Sequence, residues 1–162
     1  MGREIERKYL VRNERWRQGA GPGTPYLQGY ISVDPERNVR VRVAGAEASL
    51  TIKGKSENSI REEFEYRIPM EDADRMLAKI CIKPLIEKIR YIVVQDGKLK
   101  WEIDEFAGEN RGLIIAEVEM EGDQELVVKP DWLGQEVTDD PRYFNFNLVK
   151  HPYSEWEHST GE

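Results

Sequence analysis

The chain has 162 residues, of which 39% are hydrophobic and 34% are charged, and its formal net charge is −7. This length suits one domain with a hydrophobic core, so we expect residues 1–162 to form a single domain. The acidic balance disfavours nucleic-acid and membrane-surface binding, which need a positive field. The single cysteine, Cys81, excludes an internal disulfide and indicates a cytoplasmic protein.

The predicted elements are mostly β-strands separated by short turns. Strands are predicted at 3–11, 25–34, 38–45, 48–54, 59–68, 85–95, 98–106 and 112–121. Asp96-Gly97 predicts a two-residue hairpin link, because a type I′ turn needs positive φ at both central positions. Helices are predicted at 13–18, 69–81 and 139–150, with a further short turn at 123–129. Many strands and few helices favour an antiparallel barrel or sandwich with helices outside or at one end.

Charged and apolar side chains alternate along most of these strands, so each strand has a charged face and a mostly apolar face. Paired acids occur in EIE (4–6) and EVE (117–119), and paired bases in RVR (40–42) and KIR (88–90). Two arrangements explain the pattern. Either the charges lie outside a sandwich, or they line a wide barrel whose apolar faces point outward. The alternation alone does not decide between them.

A barrel lined by these charges must be wide and hydrated, because buried charges without partners are very costly. Clustered carboxylates are hard oxygen ligands that suit Mg²⁺ or Mn²⁺. Clustered lysine and arginine side chains suit phosphates, and arginine adds bidentate geometry. Together the two sets of charges indicate a polyphosphate ligand and metal-assisted phosphoryl chemistry.

The order of motifs resembles the CYTH superfamily, the triphosphate tunnel metalloenzymes, in a compact bacterial form. EIERK (4–8) matches the Glu-x-Glu-x-Lys signature of that family. It is followed by QGY (28–30), RVR (40–42), TIKG (51–54), REEFE (61–65), EKIRY (87–91), WEIDEF (101–106), AEVE (116–119) and EVT with RYFNFNL (136–148). The resemblance implies a mainly β fold, an eight-stranded antiparallel β-barrel tunnel with a charged interior. It also implies a few peripheral helices and a C-terminal helix that closes one end, to which Tyr143, Asn145 and Asn147 would belong.

The resemblance also implies roles for the charged residues. The implied metal ligands are Glu4, Glu6, Glu117 and Glu119, with Glu63, Glu65 and Asp104 as further acidic lining. The implied phosphate-binding residues are Lys8, Arg40, Arg42, Lys53, Lys88 and Arg90. Lys88, together with Glu4 and Glu6, is expected to be catalytic, and Lys88 to activate water. A lysine among other cations can have a lowered pKa, because like charge disfavours its protonated form.

The predicted function is metal-dependent hydrolysis of a triphosphate, with inorganic triphosphate preferred and Mg²⁺ or Mn²⁺ as cofactor. The partner would be a small-molecule polyphosphate or nucleoside triphosphate, and a homodimer is compatible with the sequence. Two alternatives remain: a class IV adenylyl cyclase that converts ATP to cyclic AMP and pyrophosphate, and a non-catalytic polyphosphate-binding module. Retention of both acid pairs and of Lys88 favours an enzyme over the binding module.

Overall fold

Nine β-strands dominate the computed structural model of the protein, which describes residues 4–57, 60–121 and 128–156. The strands are β1 (Glu4–Val11), β2 (Thr24–Asp34), β3 (Arg37–Ala44), β4 (Glu47–Glu57), β5 (Ile60–Arg67), β6 (Ile82–Gln95), β7 (Leu99–Phe106), β8 (Ile114–Glu121) and β9 (Leu133–Glu136). Two α-helices accompany them, α1 (Met70–Lys79) and α2 (Asn145–Lys150). The prediction of a mainly β fold is confirmed.

The described strands form one antiparallel sheet in the order β5-β4-β3-β2-β6-β7-β8-β1-β9. The prediction of a closed eight-stranded barrel is wrong in two respects. The sheet has a ninth strand, β9, which pairs with β1 through Tyr9↔Glu136 and Val11↔Leu133. Within the described residues β5 and β9 are the two edges of the sheet, so backbone hydrogen bonds do not close it.

The apolar faces of the strands point away from the charged faces and carry the cores of the protein. One buried cluster includes Trp16, Trp101 and Trp132, and another includes Ile86 and Leu148. The charged faces of the same strands line a common cavity on the concave side of the sheet. The sandwich with its charges outside is therefore excluded, and the lined cavity is the arrangement that the chain adopts.

The hairpin between β6 and β7 has the predicted turn chemistry in a slightly longer loop. Asp96 and Gly97 both have positive φ, 52° and 66°. Gln95 pairs with Leu99, so the link spans residues 96–98 rather than two residues. The backbone N–H of Lys98 donates to the carbonyl of Gln95 at 3.0 Å, which satisfies that carbonyl within the turn.

The helices are shorter than the sequence pattern predicts. Helix α1 begins after Pro69 and covers the outer face of β3 and β4, where Ala73 and Leu77 are buried. Cys81 is buried in the same cluster, in the manner of a small hydrophobic residue. The predicted helix at 13–18 is a 3₁₀ turn at Arg15–Gly19. Neither α-helix of the described part is long and apolar enough to cross a membrane.

The predicted helix at 139–150 is divided by one extended residue. A 3₁₀ turn at Pro141–Tyr143 precedes Phe144, whose φ of −71° and ψ of 130° are not helical. Helix α2 then starts at Asn145. The turn predicted at 123–129 lies largely outside the described residues, as do His158 and the side chain of Glu4.

Close packing of β9 on β1 predicts a specific sensitivity at Gly134. A Cβ at this position would lie 2.8 Å from the carbonyl oxygen of Leu10, a backbone atom that cannot rotate away. We expect Gly134→Ala to lower the free energy of unfolding by about 1–3 kcal/mol, the usual cost of overpacking. Urea denaturation measures this change.

Gly21→Ala is the matched control, because no atom lies within 4 Å of a Cβ built at Gly21. Its free energy of unfolding should change by less than about 1 kcal/mol. Equal effects of the two substitutions would contradict the close approach of β9 to β1.

Candidate functional site

The concave face of the sheet encloses a cavity of about 810 Å³. Most of the predicted site residues line it: Glu6, Lys8, Arg40, Arg42, Lys53, Glu63, Glu65, Lys88, Arg90, Glu117 and Glu119. These side chains come from β1, β3, β4, β5, β6 and β8, so strand alternation brings together residues far apart in the chain. Two predicted site residues are not in this set. The side chain of Glu4 lies outside the described part of the structure, and Asp104 is not part of the lining.

Asp104 is fully buried beneath the cavity lining, on the same face of the sheet as Arg90, and holds two cations of β6. Its Oδ2 is 2.8 Å from Nζ of Lys88, and both side chains are only 1% exposed. Arg90 binds the same carboxylate in a bidentate manner, through Nε to Oδ1 at 2.7 Å and Nη2 to Oδ2 at 2.9 Å. Burial alone would raise the pKa of Asp104, but Lys88 and Arg90 hold this pKa well below its usual value. Both carboxylate oxygens are therefore occupied by protein cations.

The buried surroundings of Lys88 favour the neutral form of its amine. The pKa of Lys88 is lowered to about 8, mainly by burial; Asp104 opposes this shift, whereas the nearby charges of Arg90 and Arg42 add to it. The prediction that neighbouring cations lower the pKa of this lysine agrees in direction, although burial is the larger cause. Lys88 also donates a hydrogen bond to Oδ1 of Asn145 at 2.9 Å.

Opposite Lys88, strands β3 and β4 supply cations that are paired with acids of β5. Lys53 lies 3.7 Å from Glu63, and Arg40 lies 3.8 Å from Glu65. Nη2 of Arg40 also donates to Oγ1 of Thr51 at 3.2 Å. Glu63 and Glu65 are thus neighbours of the cations in this part of the wall.

Two buried donors of β3 in the cavity lining have no hydrogen-bond acceptor among the described residues. They are Nδ2 of Asn38 and Nε of Arg40. A buried donor without an acceptor is costly, and a phosphate oxygen in the cavity would supply one. Sequence reasoning missed Asn38. Its alternation with Arg40 and Arg42 along β3 is the signal that places it on the same face.

The acidic wall is formed by β1 and β8. Their antiparallel register places Glu6 opposite Glu119 and Lys8 opposite Glu117. Glu6 is accessible from the cavity. Loss of hydration inside the protein and the nearby carboxylate of Glu117 nevertheless raise the pKa of Glu6 to about 7. Burial opposes ionisation of Glu117, but Lys8, 4.0 Å away, and Lys88 hold its pKa below the usual value. A cation bound between these two carboxylates would favour the ionised form of both.

The donor set of the acidic wall fits a divalent cation that is shared with a ligand. Among the described side chains, no three acidic, histidine or cysteine residues are close enough to form a complete metal cage. Mg²⁺ usually takes only one or two carboxylates and completes its octahedron with water and substrate phosphates. Glu6 and Glu117, with Glu119 on the same face, meet that requirement.

Residues around α2 line another part of the cavity. Phe144, Asn145 and Phe146 contribute to the lining, and Nζ of Lys8 lies 5.2 Å from the ring centroid of Phe144. Gln28, which is fully buried, donates from Nε2 to Oδ1 of Asn145 at 2.9 Å. Prediction from sequence placed Asn145 in the closing segment but missed its contact with Lys88, because 57 residues separate the two in the chain.

Comparison with known proteins gives consistent matches along nearly the whole chain. A family model described as the CYTH domain matches residues 2–153. The chain is 48% identical over 157 residues to an inorganic triphosphatase of Acetivibrio thermocellus, covering 97% of this chain and 99% of that protein. It is 36% identical over 150 residues to an inorganic triphosphatase of Nitrosomonas europaea, covering 90% and 96%. A crystal structure of an inorganic triphosphatase superposes with a TM-score of 0.68 at 32% identity, covering 92% of this chain and 95% of that one.

The buried cluster around Asp104 predicts a stability effect that depends on pH. Asp104→Asn keeps the shape of the side chain but removes the charge that faces Lys88 and Arg90. We expect the free energy of unfolding at pH 7 to fall by about 3–5 kcal/mol, as when one partner of a buried ion pair is removed. Because the folded-state pKa of Asp104 is lowered, its stabilisation is fully present above about pH 4 and is lost as the pH falls further. Urea denaturation at several pH values should therefore show the difference narrowing below about pH 4.

Asp140→Asn is the control for this substitution, because Asp140 pairs with Arg142 at the surface. The free energy of unfolding of this control should change by less than about 1 kcal/mol. A difference between wild type and Asp104→Asn that persisted unchanged at low pH would contradict the assigned ion cluster.

Proposed function

Since the chain belongs to the CYTH domain family, we propose that it is an inorganic triphosphatase that uses Mg²⁺ or Mn²⁺. One observation carries the proposal: the acidic wall and the cations of β3, β4 and β6, here called the basic wall, line the same cavity, so a metal and a phosphate chain can bind side by side. We propose a cytoplasmic location because a single buried cysteine suits a reducing compartment. We also treat residues 1–162 as one domain, because all described strands belong to one sheet. The homodimer stays a prediction.

We assign the phosphate-binding role to the cations of the basic wall and to Lys8 of β1. Arg42, Lys53 and Arg90 line the cavity together with Lys8, Arg40 and Lys88, as the family resemblance implies. The unpaired donors on Asn38 and Arg40 support this role, because phosphate oxygens are strong acceptors. Neutralisation by fixed cations stabilises the charge that develops in the transition state without reorganisation of solvent.

We assign metal binding to Glu6, Glu117 and Glu119, with Glu4 as a further ligand implied by the resemblance. When bound there, a divalent ion would neutralise phosphate oxygens and make the phosphorus more electrophilic. We do not retain Asp104 as a metal ligand, because Lys88 and Arg90 occupy its oxygens. Glu63 and Glu65 stand beside cations of β3 and β4, so we assign them an ion-pairing role.

Lys88 is the proposed general base. Water attacks the terminal phosphorus while its proton passes to the neutral amine of Lys88, and the bond from that phosphorus to the bridging oxygen breaks. The products are orthophosphate and pyrophosphate. The lowered pKa of Lys88 supports this role, because a base works best when its pKa is near the operating pH.

An assay with three substrates tests the proposed function against its alternatives. The protein is incubated with triphosphate, ATP or thiamine triphosphate, with Mg²⁺ or Mn²⁺, and the products are identified. We expect orthophosphate and pyrophosphate from triphosphate. Cyclic AMP with pyrophosphate from ATP would instead support a cyclase, and the absence of any product would support a binding module.

Glu6→Gln should reduce this activity about 100-fold and raise the metal concentration needed for half-maximal rate, because the acidic wall loses a ligand. Glu105→Gln is the matched control, since Glu105 lies on the other face of β7, paired with Arg17 outside the cavity lining. Full activity of Glu6→Gln would refute the metal-site assignment, whereas loss in Glu105→Gln would show that the assay reports on stability alone.

The pH dependence of the rate tests Lys88. We expect kcat/KM of the wild type to rise up to a pKa of about 8 and then to level off, because only the neutral amine accepts a proton. Lys88→Arg keeps the positive charge but stays protonated, so it should lose about 10²–10⁴-fold in kcat together with the rising limb. Lys150→Arg, on an exposed residue outside the lining, should leave the profile unchanged. A Lys88→Ala profile with the same limb as the wild type would refute the assignment.

A further inference from the structure

Asn145, the first residue of α2, joins the C-terminal segment to the proposed base. Its Oδ1 accepts one hydrogen bond from Nζ of Lys88 and another from Nε2 of Gln28, both at 2.9 Å. Oε1 of Gln28 in turn accepts from Nε of Arg42, also at 2.9 Å. A continuous chain of hydrogen bonds therefore runs from Arg42 through two amides to Lys88.

The two ends of this chain fix the orientation of both amides. Lysine ammonium and arginine guanidinium groups only donate, so each must face an amide oxygen. Lys88 therefore requires Oδ1 of Asn145, and Arg42 requires Oε1 of Gln28. The amino group of Gln28 is then left to donate to the same oxygen of Asn145. Rotating either amide by half a turn would set donor against donor, so the network has one satisfied arrangement.

The acceptors around Nζ of Lys88 determine where its lone pair points. Nζ of Lys88 donates a hydrogen bond to Oδ1 of Asn145 at 2.9 Å and lies 2.8 Å from Oδ2 of Asp104, its ion-pair partner. A neutral amine has two N–H bonds and one lone pair. With its two N–H bonds directed at these two oxygens, the lone pair takes the remaining tetrahedral position, and Lys88 is part of the cavity lining.

Asn145 is itself held in place by packing. Leu148 and Val149 of α2 are buried, and the ring of Phe146 meets the ring of Tyr30 edge-on, with centroids 6.5 Å apart. Gln28 is fully buried, which leaves little room for the amide network to rearrange. The acceptor is thus preorganised before any ligand binds, the condition under which positioning contributes to rate.

We propose that Asn145 is a positioning residue of the triphosphatase reaction, which acts with Asp104 to direct the lone pair of Lys88 into the cavity. The proposal rests on the proposed function and adds to it a contribution of the C-terminal segment to catalysis. Asn145 acts through Lys88, so its loss should lower kcat and leave binding of triphosphate nearly unchanged.

Steady-state kinetics with triphosphate and Mg²⁺ test this role in the full-length protein. Asn145→Ala should lower kcat about 10- to 100-fold through misplacement of the base, with KM changed less than about threefold. Asn147→Ala is the matched control on the same helix, because Nδ2 of Asn147 donates to the carbonyl of Pro141 instead. The control should keep the wild-type kcat. An unchanged kcat in Asn145→Ala, or an equal fall in both variants, would overturn the proposal.

The ¹H–¹⁵N signal of the Lys88 ammonium group, recorded without substrate or metal at a pH below its pKa, provides a readout independent of turnover. Lys88→Arg identifies this signal by its absence. It should persist in the wild type and in Asn145→Asp, which keeps an acceptor oxygen in place, and broaden beyond detection in Asn145→Ala. A persistent signal in Asn145→Ala, or its loss in Asn145→Asp, would overturn the proposal even if a variant proved unstable. Wild-type protein without triphosphatase activity would instead refute the proposed function, and this proposal with it.

Discussion

A carboxylate buried behind two cations is the interaction on which the cavity depends. Lys88 and Asp104 are both shielded from solvent, and Arg90 clamps the same carboxylate. Two unpaired cations at this depth would be very costly, so the counter-charge on β7 allows both to remain in the wall. Because Lys88 and Arg90 line the cavity and Asp104 does not, the cations can still meet an anionic ligand there. A structural ion pair and a binding surface thus share the same side chains.

The rest of the wall follows from the separation of acids and bases among strands. Strands β1 and β8 carry Glu6, Glu117 and Glu119, whereas β3, β4 and β6 carry the proposed phosphate-binding cations other than Lys8. Both groups line the same cavity, so the carboxylates and the cations come together around one space. A divalent ion on one side and phosphate oxygens on the other would complete the charge balance that neither wall achieves alone.

Much of this arrangement follows from strand periodicity, because alternation places Arg40, Arg42, Lys88 and Arg90 on one face whatever the curvature of the sheet. Periodicity could not reveal β9, whose four residues LGQE contain only one buried side chain. Nor could it tell a closed barrel from an open sheet, which depends on pairing between distant strands.

By strand alternation Asp104 is on the face that lines the cavity. Its position directly opposite Arg90 in the sheet instead makes it the counter-ion of that arginine. Contacts between residues distant in sequence are the other limit of sequence reasoning. The break at Phe144 and the bond from Asn145 to Lys88 depend on how the C-terminal segment packs, and no local pattern encodes that packing.

The position of β1 between β8 and β9 has a consequence for how the protein is made. The backbone N–H of Lys8 donates to Oγ1 of Thr138, 130 residues later in the chain, and β1 makes its described strand pairings only with β8 and β9. Ribosomal synthesis delivers the first strand long before either partner exists. The acidic wall is therefore assembled only after the nascent chain has extended beyond β8, and contacts of such long sequence separation slow folding. Strand β1, which is translated before both of its partners, is among the last to reach its place.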